Sequence, residues 1–135
     1  MLKRNKRFLI MLLTLAFPFG CVGCSDGGSV TYEQISGAEA KALMDSESGY
    51  IIIDARTQSE YDEGHIPGAI LIPEYEIAYR AENELSDKNQ LILVYCRSGR
   101  RSKIAAEELV KLGYTNVKEF GGIIDWEYEI VKLKG

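Results

Sequence analysis

The sequence predicts an α/β domain: a mainly parallel central sheet of about five strands, covered by helices on both sides. Three observations lead there. Residues 50–53, 69–72 and 91–95 are short apolar runs without polar alternation, the mark of strands buried on both faces. Segments of helical spacing separate them. Gly, Pro, Asn and Asp punctuate the junctions, and no internal repeat interrupts the order.

Residues 30–35 read as a short strand or lead-in. Ser36 and Glu39 then have the spacing of a capping box, which predicts a helix over 37–46 with Ala40, Leu43 and Met44 on its apolar side. The run Tyr50-Ile51-Ile52-Ile53 is a buried strand ending at Asp54, and 59–62 is a short helical turn. Gly64, Pro67 and Gly68 supply turn chemistry before the strand 69–72. A helix follows over 75–84, then a turn at 87–90 and the strand 91–95. Residues 100–112 form a helix with Ile104, Ala105, Leu109 and Leu112 on one face, closed by Gly113 at its C′ position. A strand at 116–120 leads to Gly121-Gly122 and a terminal helix carrying Ile123, Trp126 and Ile130 as core.

The chain has 135 residues, 46% hydrophobic and 27% charged, which suits one globular domain plus an extra segment at one end. A net charge of -4 argues against a nucleic-acid partner, because neutralising phosphates needs a basic face. The extra segment is N-terminal. Lys3, Arg4, Lys6 and Arg7 precede a twelve-residue apolar stretch at 8–19, the layout of a secretory signal. As a helix such a stretch spans about 18 Å, short of the ~30 Å hydrocarbon core of a bilayer, so a permanent membrane span is the weaker reading.

The residues after it resemble the lipobox of bacterial lipoproteins: Val22 and Gly23 precede Cys24, and Ser25, Asp26, Gly27, Gly28 and Ser29 form a polar tether. The resemblance implies a signal peptide at 1–23, lipidation at Cys24, a tether at 24–30 and a folded domain at 31–135. Cys21 is the alternative lipidation site, and a plain secretory signal is the alternative to a lipoprotein. The implied location is a membrane of a bacterial cell envelope, through the lipid, or the extracytoplasmic space without it. Cys96 is then the one free thiol of the mature domain.

Cys96 follows the strand 91–95 directly and opens the run Arg97-Ser98-Gly99-Arg100-Arg101-Ser102 at the start of a helix. Helix N-termini and neighbouring arginines lower a thiol's pKa, and successive loop amides form an anion-binding nest. Strand C-terminal ends are where open parallel sheets bind ligands. This loop is the candidate site, with Cys96 as nucleophile and Arg97, Ser98, Gly99, Arg100, Arg101 and Ser102 as candidate contacts to an anionic substrate. Arg97 and Arg100 rank ahead of Arg101, which is placed to turn back into the fold.

The loop is similar to the active-site loop of the rhodanese (thiosulfate sulfurtransferase) family. Two further motifs resemble the family's signatures: Ile53-Asp54-Ala55-Arg56 with Glu60-Tyr61 and residues 64–69, and residues 121–126. The resemblance implies a rhodanese-like three-layer domain in which Cys96 takes a sulfane sulfur from thiosulfate or a similar donor, forms a persulfide, and passes the sulfur to cyanide or a thiol, without metal or cofactor. Asp54 and Arg56 would support the loop as an ion pair. His65, the only histidine, reads as a hydrogen-bonding turn residue rather than a base. The alternatives are a non-turnover sulfur carrier or sensing module and, from the same fold, a phosphatase or arsenate reductase. The last two use a loop one residue longer, with an arginine where Ser102 stands here.

Overall fold

In the computed structural model, which describes residues 31–134, five parallel strands lie in the order β1-β5-β4-β2-β3. They are β1 (Glu33–Gln34), β2 (Ile51–Asp54), β3 (Ile70–Leu71), β4 (Ile92–Cys96) and β5 (Val117–Gly122). The helices are α1 (Gly37–Ser46), α2 (Gln58–Glu63), α3 (Ile77–Glu84) and α4 (Arg100–Lys111), with 3₁₀ turns at Glu74–Glu76 and Ile123–Asp125. The signal-peptide and tether assignments, and Cys21 and Cys24 with them, lie outside the described residues.

The two-residue alternation of strands decides what faces what. On β4, Ile92, Val94 and Cys96 pack on the side covered by Ile77 and Ala81 of α3 and Ala105, Ala106 and Leu109 of α4. Leu93 and Tyr95 point the other way, into a cluster with Ala40 of α1, Ile52, Ile66 and Phe120. Each cluster has its own helices, so the domain is three-layered as the sequence predicts. Cys96 belongs to the α4 side.

The helix starts follow local chemistry. Ser36 accepts the Glu39 amide while Glu39 accepts the Ser36 amide at 2.7 Å, the expected capping box. Thr57 and Glu60 form a second one at the start of α2. Each such cap contributes on the order of 1 kcal/mol.

Four expectations need correction. The helix expected from residue 75 begins with the 3₁₀ turn and becomes α-helical only at Ile77. In α4 the buried face is Ser102, Ala105, Ala106 and Leu109, whereas Ile104 is 36% exposed. The strand expected at 116–120 runs on through Gly122, so the glycine pair lies in the sheet rather than ahead of a helix. The terminal helix is absent: after the turn Ile123–Asp125 the chain extends from Trp126, and Val131 pairs antiparallel with His65 through two backbone hydrogen bonds of 2.8 and 2.9 Å. Trp126 is partly buried against the α1-side cluster, but Ile130 is 44% exposed. β-Branched and aromatic residues dominate this segment, and they favour the extended form once a backbone partner is present.

Candidate active site

The strand β4 ends on Cys96, and the chain curls through Arg97, Ser98 and Gly99 before α4 starts. Gly99 is the N-cap of that helix with φ 104°, a left-handed conformation that glycine adopts without steric cost. This turn aims the Gly99 amide at Cys96 Sγ, 3.0 Å away. The hydroxyl of Ser102, in the first turn of α4, lies 3.4 Å from the same sulfur.

Cys96 is 1% exposed. Burial pushes its thiol pKa up, but hydrogen bonds from the Ser102 hydroxyl and from the backbone amides of Ser102, Gly99 and Ser98 outweigh that, so the net displacement is downward. The sulfur sits at the base of a cup whose donors are backbone dipoles. Such donors are already oriented before any charge develops.

The loop arginines divide into two kinds. Arg97 and Arg100 are exposed at the rim, and among the described residues neither has an ion-pair partner. Arg101 turns back, donating from both terminal nitrogens to Glu60 of α2 at 2.7 and 2.8 Å. That bidentate contact draws the Glu60 carboxyl pKa down to about 2, burial opposing and the Thr57 cap assisting. Arg101 therefore ties α4 to α2, and of the expected substrate contacts it is the one whose guanidinium is already occupied. Ser98 is exposed, whereas Gly99 and Ser102 are buried against the sulfur.

Asp54 and Arg56 form a buried ion pair at the end of β2, with Nε and Nη2 of Arg56 reaching the carboxylate at 2.7 to 3.1 Å. Arg56 also donates to the Gly64 carbonyl at 2.6 Å, and the Tyr95 hydroxyl donates to Asp54 at 2.7 Å while accepting the Ile66 amide at 3.0 Å. The pair braces the 64–66 turn, and its link to the Cys96 loop runs through Tyr95, the residue before Cys96. His65 stacks on Tyr61 at 3.7 Å, with Nδ1 2.8 Å from the Tyr61 carbonyl, so its ring is engaged in the turn itself.

One residue at the sulfur was not singled out from sequence. Glu119 of β5 is 3% exposed, and its Oε1 lies 2.6 Å from the Ser102 hydroxyl and 2.8 Å from the Gly121 amide. The signal was present in Val117-Lys118-Glu119-Phe120, where strand alternation places Glu119 on the side of Val117, facing the core. Among the described residues no three His, Cys, Asp or Glu side chains cluster as a metal site.

A parallel α/β sheet that delivers a cysteine into an amide-lined, arginine-rimmed loop defines a class of proteins that handle anions at a thiol. The Rhodanese-like domain family matches residues 36–129, and the chain belongs to that family. It is 41% identical over 83 residues to the thiosulfate sulfurtransferase PspE of Escherichia coli, covering 62% of this chain and 78% of that protein. It is 34% identical over 97 residues to the thiosulfate sulfurtransferase GlpE of Coxiella burnetii, covering 71% of this chain and 88% of that protein. Among solved structures, a rhodanese with anions from E. coli aligns with a TM-score of 0.59 and 39% identity, covering 62% of this chain and 99% of that one.

Proposed function

We propose that the protein is a single-domain sulfurtransferase working through a persulfide on Cys96. The observation that carries this reading is the ring of N–H and O–H donors on a buried sulfur whose pKa they lower. A thiolate is the nucleophile that sulfur transfer requires. The two thiosulfate sulfurtransferase relatives support the reaction type.

In the first half-reaction the Cys96 thiolate attacks the outer sulfur of thiosulfate or a similar donor. A new S–S bond forms at Sγ, the donor's S–S bond breaks, and its electron pair leaves with sulfite. The terminal sulfur of the persulfide carries the negative charge, and the loop amides are placed to stabilise it. In the second half-reaction cyanide or a thiolate takes that sulfur, and the Cys96 thiolate returns. Two anions must meet in each half. Arg97 and Arg100 at the rim offset that repulsion and supply donors for the sulfonate end of the substrate.

The site gives less support to a phosphatase. Ser102 stands where the longer loop has its arginine, and Arg101 is held by Glu60. The N-terminal sequence supports export and lipid anchoring at Cys24 as the setting for this activity.

The test is to load the purified protein with thiosulfate, follow thiocyanate formation from cyanide, and measure intact mass. A gain of one sulfur atom and turnover, both lost in Cys96→Ser, are expected. Equal activity of the two proteins would refute the mechanism, and loading without turnover would instead make the chain a sulfur carrier. Palmitate labelling lost on Cys24→Ala tests the anchor.

A further inference from the structure

A carboxylate buried without a cation is expensive, and Glu119 is 3% exposed with no ion-pair partner among the described residues. An uncharged acceptor would serve the Gly121 amide equally well, so the structural need does not explain an acid at this position. The ionisable groups on the flanking elements are engaged elsewhere. On α4 Arg101 grips Glu60, on β1 Glu33 pairs with Lys118, and on β2 Asp54 pairs with Arg56. On α1 Glu39 caps Ser36, on β4 Tyr95 donates to Asp54, and Arg97 and Arg100 are exposed to solvent. The remaining ionisable group at this spot is Cys96 itself.

The Ser102 hydroxyl joins the two. It has one proton to donate, and its shortest contact is Glu119 Oε1 at 2.6 Å, against 3.0 Å to the Gly99 carbonyl oxygen and 3.4 Å to Cys96 Sγ. The short contact takes the proton, because a charge-assisted O–H···O⁻ bond is the stronger one. The Ser102 oxygen then presents a lone pair toward the sulfur. While Cys96 is protonated, its Sγ–H can donate to Ser102 Oγ as Oγ–H donates to Glu119; toward the thiolate, Ser102 is the donor.

We propose that Glu119 receives the Cys96 proton through the Ser102 hydroxyl. The thiol proton moves to Ser102 Oγ while the proton of Ser102 moves to Glu119 Oε1. The products are a thiolate, an intact serine and a neutral glutamic acid. The buried site carries one negative charge before and after, which avoids placing a thiolate and a carboxylate side by side in a medium of low dielectric. Ser102 then turns its own donor to the thiolate. Glu119 acts through Ser102 and is a positioning residue. Its use in catalysis rests on the sulfur-transfer reading, but the proton exchange does not.

The signature is in the pH dependence of Cys96 alkylation by iodoacetamide, measured on the whole protein without any sulfur donor. Internal proton exchange makes part of the thiolate population independent of pH, so the wild-type rate should show a flat shoulder on the acid side of the thiol titration. Glu119→Gln keeps the side-chain shape without accepting a proton, and Ser102→Ala keeps the carboxylate but removes the relay. In both, the shoulder should vanish and the rate fall about tenfold per pH unit. In the wild type, part of the infrared C=O band of a protonated carboxyl should persist across that shoulder and be lost only with the final titration step.

A single titration step in the wild type would overturn the proposal, even if Glu119→Gln shifted its midpoint through lost charge. Persistence of the shoulder in either folded variant would overturn it as well. If neither variant folds, the wild-type curve and its infrared band decide. Loss of sulfurtransferase activity alone, with the shoulder intact, would count against the proposed function and not against the relay.

Discussion

A Cβ on Gly122 would lie 2.0 Å from the Arg97 carbonyl oxygen and 2.6 Å from Ser98 Cα. The Cys96 loop thus rests on bare backbone of β5. The close approach arises where the sheet slips: Val94 pairs with Glu119 but Cys96 with Gly122, so β5 carries one extra residue across that interval. Gly122→Ala must push the loop away, since the obstructing atoms are backbone. A loss of about 3 kcal/mol or more is expected in urea unfolding, with displaced Cys96 chemistry. Gly121 is the contrast. Its φ is 86° but nothing lies within 4 Å, so Gly121→Ala should cost only the left-handed strain of about 1–2 kcal/mol.

The hydrogen bonds to Cys96 predict thiolate reactivity below the ordinary thiol pKa of about 8.5. The pKa is depressed in the folded state, so the thiolate contributes stability above the unfolded value and loses it as pH falls through the folded one. Alkylation of the native protein should therefore stay fast at pH values where the same cysteine in urea has slowed. Ser102→Ala should move the titration midpoint upward. A midpoint no lower than in urea would contradict the donor ring.

Arg97 and Arg100 project from the rim into solvent. Replacing either with alanine should leave urea stability within about 0.5 kcal/mol and raise the KM for thiosulfate about tenfold, an effect that shrinks as salt is added. An unchanged KM in both variants would remove them from substrate binding.

Asp54→Asn leaves Arg56 cationic and buried without its counter-charge. The expected loss is about 3–5 kcal/mol by urea unfolding. Replacing both with apolar residues of similar volume should recover much of it, which separates the cost of a stranded charge from the worth of the pair.

Glu60 holds Arg101 and caps α2. Its pKa falls from 4.5 to about 2 in the folded protein, so its contribution is complete above about pH 4.5 and is lost as pH drops toward 2. Glu60→Gln should cost about 1–2 kcal/mol at neutral pH, from a weakened cap and a lost ion pair. It should also flatten the acid limb of the stability profile between those two pH values.

Much of this fold was legible because its causes are local. A run of β-branched residues reads as a buried strand, Ser36 and Glu39 cap a helix within one turn, and a cysteine between a strand and an Arg-rich helix start announces an anion-handling loop. The terminal helix failed for the opposite reason: the segment's conformation is set by pairing between Val131 and His65, which periodicity cannot register.

The sequence by itself determined the order of elements, the parallel α/β class and the position of the thiol. Tertiary structure decided which arginine is free and which is engaged, since Arg101 and Glu60 meet across 41 residues. It also decided that Glu119, 17 residues beyond Ser102, shares that hydroxyl with Cys96, and that Gly122 must lack a side chain. These relationships depend on strand register and on the slip between β4 and β5. Register is fixed only when the two faces of the sheet are buried together, so their energies exist in the packed molecule and in no single segment of the chain.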